Sequence, residues 1–220
     1  MKASLDTNVI IHLYRANEQK LLFELFLDEI FLDEFILEQE LRKHGPDVMP
    51  LVLSDIESGK IKVIRKDDLK NMGILQLYNQ YLNEEQQLYF LSDMGEVHAI
   101  ALARSIGAIS VVTDDTKDHG PHYALMRIPD SNIIPLTFYE VLILLYLKGV
   151  YTSSQTIDIF NNILNKAPEL PYDLKSKIKT FIKRFVKEPY TDRDFIWFKT
   201  FCLEFHISVR TKIRDIVDKL

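Results

Sequence analysis

One stretch near the middle of the chain, residues 95–115, constrains the fold more than any other. Its first part places Val97, Ile100 and Ala101 at the spacing of one helix face. The run that follows, Ala108–Thr113, is largely apolar and rich in β-branched residues, and it leads into two acids. A strand of this kind is typical of a parallel sheet that is covered on both faces.

Short β-type runs alternate with helical patterns through most of the chain. Further strand candidates are Lys2–Leu5, Ile61–Ile64 and Ile133–Ile134. Leu and Phe residues at helical spacing predict a helix over Glu18–Phe31, and Asp33 is predicted to cap the next helix. The β-type runs stop after Gly149. We therefore expect an α/β domain with a mostly parallel sheet over residues 1–150 and a C-terminal helical extension over residues 151–220.

Composition excludes several classes of protein. A chain of 220 residues with 47% apolar residues can bury a substantial core, so disorder is excluded as its main feature. The single cysteine, Cys202, excludes an internal disulfide and a cysteine-based zinc cluster, and it favours a reducing, cytoplasmic setting. The longest uninterrupted apolar run, Val141–Leu147, is far shorter than the roughly 20 residues of a membrane span. We expect a buried helix there and no membrane partner.

Charge is distributed unevenly along the chain. Residues 1–150 hold 14 Lys+Arg and 23 Asp+Glu, a net charge of -9. Residues 151–220 hold 13 and 9, a net charge of +4, and the two parts add to the -5 of the whole chain. An acidic body with a basic extension suits a metal site beside a surface for a polyanion, and a solvated basic helix face gives the same pattern.

Acids follow two of the predicted strands directly. Asp6 follows the first strand, and Asp114 and Asp115 follow the run at residues 108–113. Ligands of an open parallel sheet bind beyond the carboxyl ends of its strands, so we expect these acids at one edge. Neighbouring carboxylates repel one another unless a cation neutralises them, and oxygen ligands of this type are those that Mg²⁺ favours.

Two acids on predicted helices can reach the same edge. Glu96 lies in the first turn of the mid-chain helix, where the helix dipole favours an acid. Glu40 shares its helix with the core candidates Leu37 and Leu41. Glu38 is rotated about 200° from Glu40 at 100° per residue, so only one of the two can face the site. We expect Glu40 to be that residue.

These motifs resemble, in the same order, those of the PIN domain family. The matching segments are LDTNVII at residues 5–11, LEQEL at 37–41, MGEVHAIALARSIGA at 94–108 and VVTDD at 111–115. The resemblance covers roughly residues 1–140 and implies a three-layer PIN-like α/β domain.

The resemblance also implies an activity and the residues that carry it. Members of the family hold Mg²⁺ or Mn²⁺ with acids and cleave single-stranded RNA, and many are toxins of bacterial toxin–antitoxin pairs. By resemblance, the catalytic acids are Asp6, Glu40, Glu96, Asp114 and Asp115, and all of them except Glu40 are assigned to the metal. Asp114 and Asp115 are alternatives that differ by one position. Thr7, Asn8 and Thr113 match the polar residues beside the acids and are expected to support them.

The chemistry of the residues agrees with this reading. A carboxylate-bound Mg²⁺ or Mn²⁺ lowers the pKa of a bound water and offsets charge on a phosphodiester, so we expect a metal-dependent endoribonuclease. A phosphohydrolase with Asp6 as nucleophile is one alternative, although its usual pattern wants an acid where Asn8 stands. A phospho-acceptor receiver domain is another. The third is a catalytically silent PIN-like scaffold that binds RNA or a protein partner.

The basic extension is the predicted contact surface for RNA. Lys179, Lys183 and Arg184 belong to one predicted helix whose apolar residues recur every three or four positions. We expect the apolar side to pack inward and the basic side to hold the RNA backbone, with a solvated face as the alternative. The sequence leaves open whether the chain binds an antitoxin-type protein or forms a homo-oligomer.

Overall fold

The computed structural model describes residues 1–88, 94–116, 122, 125, 132–189 and 191–220. The chain divides into two compact units, Met1–Phe138 and Tyr139–Leu220. The division falls earlier than the boundary near residue 150 that the sequence suggested, so nearly all of the helix Phe138–Lys148 belongs to the second unit.

The first unit is built on a parallel sheet. Among the described residues, five strands pair in the order β3-β2-β1-β4-β5, and every pairing is parallel. The strands are β1 (Lys2–Leu5), β2 (Glu29–Asp33), β3 (Lys62–Ile64), β4 (Ser110–Val112) and β5 (Ile134–Leu136). The α/β class with a parallel sheet is therefore confirmed.

Both faces of the central strands are covered. Every residue of β4, and every residue of β1 and β2 except the first, is buried. Because successive side chains of a strand point to opposite faces, unbroken burial requires a layer on each side of the sheet. The arrangement is consistent with a three-layer α/β fold.

Helices alternate with the strands in this unit. They are α1 (Thr7–Arg15), α2 (Lys20–Leu25), the π-helical segment π1 (Ile36–Leu41), α3 (Arg42–His44), α4 (Met49–Glu57), α5 (Lys66–Asn71), α6 (Leu75–Leu88) and α7 (Met94–Ile106). Helix α7 packs against β1, β2 and β4. Gly107 ends it with a φ of 66°, a conformation that glycine adopts without the steric cost of a side chain.

One sequence prediction is wrong in its second half. The helix predicted over Glu18–Phe31 is helical only as α2, and the strand β2 begins at Glu29. The residues Ile30 to Leu32 are buried. A short apolar run of this kind fits a buried strand as well as a helix, because periodicity alone does not separate the two.

Among its described residues, the second unit contains helices joined by turns and irregular segments, and no strand. Its elements are α8 (Phe138–Lys148), α9 (Ser153–Lys166), α10 (Leu174–Ile182), the π-helical segment π2 (Lys183–Lys187), α11 (Asp192–Glu204) and α12 (Val209–Val217). The rings of Phe181, Phe185 and Phe198 pack together with centroid distances of 4.8 to 5.5 Å. Among the helices that the structure describes, none is long and apolar enough to cross a membrane.

Candidate functional site

The sheet register sets three carboxyl ends of strands side by side. Leu5 of β1 pairs with Val112 of β4, and Ser4 pairs with Phe31 of β2. Extending these registers along β1 brings Asp6 level with Thr113 on one side and with Asp33 on the other. The N–H of Asp6 donates to the carbonyl of Val112 at 3.0 Å, so the pairing of β1 with β4 continues to this position.

Asp6 is a buried carboxylate that is held on both oxygens. Its Oδ1 accepts a hydrogen bond from the N–H of Thr7 at 2.7 Å, which makes Asp6 the N-cap of α1. Its Oδ2 accepts from the hydroxyl of Thr113 at 3.0 Å. Thr7 therefore supports Asp6 through its backbone and Thr113 through its side chain, whereas Asn8 is half-buried on the first turn of α1.

The two acids after β4, Asp114 and Asp115, lie in different environments. Asp114 is buried, and its oxygens contact Nδ1 of His12 at 2.8 Å and the N–H of Phe138 at 2.9 Å. Asp115 is half-buried, and its N–H donates to the hydroxyl of Thr113 at 3.2 Å. Thr113 thus links Asp6 to the backbone of Asp115, while Asp114 anchors the turn to α1 and to the start of α8. The contact with His12 was not predicted from the sequence.

The acids on helical segments, Glu96, Glu40 and Glu38, lie in different surroundings. Glu96 is buried in the first turn of α7, as its position predicted. Glu40 lies in π1 and faces His44 one turn on, with 3.6 Å between its Oε2 and Nε2 of the histidine. Glu38 accepts from Nε of Arg42 at 2.6 Å. The preference for Glu40 over Glu38 stays a prediction.

Asp6, Asp114 and Asp115 lie beyond the carboxyl ends of β1 and β4, and Glu96 and Glu40 lie on α7 and π1; these acids do not form a closed cage. Within the described ranges, no group of three or more His, Cys, Asp or Glu side chains is arranged to hold a metal ion. Asp6, Glu96 and Asp115 nevertheless offer the hard oxygen donors that Mg²⁺ and Mn²⁺ favour. Mg²⁺ usually takes one or two carboxylates and keeps several waters, so it does not require a complete protein cage.

A second polar cluster, which the sequence analysis missed, surrounds Asp33 at the end of β2. Asp33 is buried, and its oxygens accept from the N–H of Phe35 at 2.8 Å and the hydroxyl of Tyr78 at 2.7 Å. Nδ1 of His98 lies 3.2 Å from Asp33 and 2.7 Å from the Tyr78 hydroxyl. Burial and the nearby Asp33 raise the pKa of Tyr78 far above its usual range, so its hydroxyl keeps its proton for Asp33.

A cleft of about 440 Å³ opens beside this cluster. We call it the Asp33 cleft, and its lining includes Asp33, Phe35, Glu38, Tyr78, Asn79 and His98. The rings of Phe35 and His98 are stacked, with 4.1 Å between centroids and 5° between planes. The pattern that revealed Asp6, an acid after an apolar run, also occurs at Asp33. The run before Asp33 has helical spacing, which predicts a helix there and Asp33 as the cap of the next one.

One predicted RNA contact needs correction. The side chain of Arg184 is only 2% exposed, and its guanidinium contacts Glu140 at 2.9 Å and Asp194 at 2.7 Å. Arg184 is therefore a core residue of the helical unit and does not present its charge to RNA. Lys179 and Lys183 are exposed as predicted, and Lys183 lies 3.4 Å from Glu188.

Comparisons with protein-family models, curated proteins and solved structures gave no match.

Proposed function

We propose that the unit Met1–Phe138 is a divalent-metal-dependent endoribonuclease of the PIN type that acts on single-stranded RNA. The observation that carries the proposal is the buried Asp6, which Thr113 joins to the Asp115 turn at the carboxyl edge of a parallel sheet. This edge is the ligand-binding edge of open α/β sheets. The Thr7 N–H and the Thr113 hydroxyl hold the Asp6 carboxylate in a fixed orientation at this edge. The order of the four sequence motifs adds support.

Each residue of the proposed metal site has its own role. Asp6, Glu96 and Asp115 are the acids proposed to hold Mg²⁺ or Mn²⁺. Such an ion, when bound, supplies an activated water and offsets charge on the phosphodiester. Thr113 fixes the orientation of the Asp6 carboxylate through Oδ2. Asp114, through its contacts with His12 and the N–H of Phe138, keeps the turn after β4 in place.

Cleavage of a labelled single-stranded RNA by the purified chain tests the proposal. We expect cleavage with Mg²⁺ or Mn²⁺ that stops when a chelator is added. Asp6→Asn should slow it by about 100-fold or more, because loss of outer support for a metal ligand alone costs about 10- to 100-fold. Asp67→Asn, which changes an exposed acid in the first turn of α5, is the matched control and should leave the rate unchanged.

The same assay separates the outcomes. Cleavage that persists in chelator, or that Asp6→Asn leaves intact, contradicts the proposed site. RNA binding without any cleavage favours the silent scaffold.

A second pair of variants addresses the acid on π1. Glu40→Gln should reduce cleavage because it removes one of the proposed catalytic carboxylates, whereas Glu38→Gln should reduce it less. The two residues lie two positions apart and are both partly exposed, so each serves as the control for the other. An inactive Glu38→Gln protein beside an active Glu40→Gln protein would reverse the assignment.

A further inference from the structure

We propose that the Asp33 cleft binds one nucleobase of the RNA strand and prefers bases that carry an exocyclic amino group. The inference rests on the proposed function, since it assigns a specificity pocket to the same edge of the sheet. Apart from the alternative acid Glu38, the residues of the cleft are not among the predicted catalytic residues.

The position of the cleft follows from the sheet. Asp33 ends β2, the strand that neighbours β1, and the register extends to set Asp33 level with Asp6. Adjacent strands of a sheet are about 4.8 Å apart, so the cleft begins one strand away from the proposed metal-binding acid. A nucleotide next to the scissile phosphate can therefore reach it.

The walls suit a flat, partly apolar ligand. The stacked rings of Phe35 and His98 form one side, and Ile64, Leu69 and Leu75 contribute apolar surface. The cleft volume of about 440 Å³ lies within the range of small-molecule sites, which runs from roughly 300 to 1,000 Å³. Stacking on aromatic side chains is a common way for proteins to hold unpaired bases.

The polar groups of the lining select the edge of the base. His98 is held through Nδ1, which lies 2.7 Å from the Tyr78 hydroxyl and 3.2 Å from Asp33, and the Tyr78 hydroxyl donates to Asp33. Glu38 and the exposed Asn79 add acceptor oxygens at the rim.

The charges of the residues that line the cleft also bear on which ligand it prefers. It holds three acids, Asp33, Glu34 and Glu38, but among the lining residues Lys66 is the single lysine. Arg42 pairs with Glu38 and Arg65 with Glu34 from outside the lining, so the acids are partly neutralised, and their oxygens favour a ligand that donates hydrogen bonds. The exocyclic amino groups of adenine and cytosine are such donors, whereas uracil has none.

Binding of fluorescently labelled hexanucleotides of A, C or U, measured by anisotropy in a chelator, tests the proposal without cleavage. The wild-type chain should bind the A and C oligomers at least about threefold more tightly than the U oligomer, which is the scale of one net hydrogen bond. Asn79→Ala should weaken binding of the A and C oligomers by about threefold to tenfold and leave U almost unchanged. Asn79 is exposed, so its loss is not expected to disturb folding.

Asn83→Ala is the matched control, because Asn83 is an exposed asparagine one turn further along α6 and does not line the cleft. It should bind all three oligomers as the wild type does. Phe35→Leu, which removes the stacked ring, is the second variant and should also remove the preference. Equal affinity for the three oligomers, or no effect of both cleft variants, overturns the proposal. A base preference without cleavage by the wild-type chain would instead contradict the proposed nuclease and leave the cleft assignment standing.

Discussion

Among single residues, Thr113 has the most connected position in the candidate site. Its hydroxyl donates to Asp6 and accepts from the N–H of Asp115, and its side chain is fully buried. Thr113→Val keeps the shape but removes both hydrogen bonds. We expect a loss of about 1–3 kcal/mol in the free energy of unfolding, because a buried carboxylate oxygen loses its donor. Urea unfolding followed by far-UV circular dichroism measures the loss.

Thr113→Ser is the control for that change. The serine keeps the hydroxyl and loses only a methyl group, so its stability should lie closer to the wild type than that of the valine variant. A valine variant as stable as the wild type would show that the link between Asp6 and Asp115 contributes nothing to the fold.

At the scale of elements, strands bounded by clear breaks were predictable from the sequence. The strand β1 matches the predicted Lys2–Leu5, and β4 lies inside the predicted run Ala108–Thr113. β1 leads directly into Asp6, β4 is separated from Asp114 by Thr113 alone, and β4 follows a glycine with positive φ, Gly107. The strand β2 has no such break before it. Its omission also hid Asp33 and the polar groups around it, Tyr78 and His98.

The two π-helical segments explain why side-chain directions were harder to predict than elements. The orientation of Glu40 and the outward direction of Arg184 were both argued from 100° per residue, the spacing of an α-helix. Glu40 lies in π1 and Arg184 in π2, where hydrogen bonds run from i to i+5 and the angular spacing differs. Arg184 points into the helical unit, where it pairs with Glu140 and Asp194. The sequence alone contains no mark that distinguishes these segments from α-helix.

The buried Arg184 ties three elements of the helical unit together. It lies in π2, and its partners Glu140 and Asp194 lie in α8 and α11. Burial alone would lower the pKa of the guanidinium, but the two carboxylates raise it above its usual value, so the charge is retained. Arg184→Met leaves two buried carboxylates without this cation. We expect the helical unit to lose about 3–5 kcal/mol of stability.

Fluorescence of Trp197, the single tryptophan of the chain, monitors this loss, since its ring packs 5.8 Å from Phe185 and 5.6 Å from Phe201. Replacing the carboxylates as well, with Glu140→Gln and Asp194→Asn beside Arg184→Met, should recover part of the lost stability, because the two buried carboxylates are then neutral while Arg193 loses its ion pair with Asp194. If the triple variant is as unstable as the single one, packing of the arginine rather than its charge holds these elements together.

At the scale of the whole molecule, the uneven charge is the basis on which we predict an RNA-contact surface. Of the three basic residues predicted to contact RNA, Arg184 is buried. The two exposed lysines, Lys179 and Lys183, remain the predicted contacts. Lys179→Gln with Lys183→Gln should weaken RNA binding. Because each phosphate contact to a single strand contributes about 0.7 to the slope of log K against log salt, the slope should also become shallower by about 1.4.

Affinity measured in chelator at several salt concentrations gives both quantities at once. The matched control carries Lys43→Gln and Lys70→Gln, which remove the same charge from exposed positions of the acidic first unit. A general effect of net charge would change the salt slope equally in both double variants, whereas phosphate contacts at the extension change it only in the first. If neither pair alters affinity or slope while the fold is retained, the lysines form a solvated face, and the contacts that hold RNA lie within the first unit.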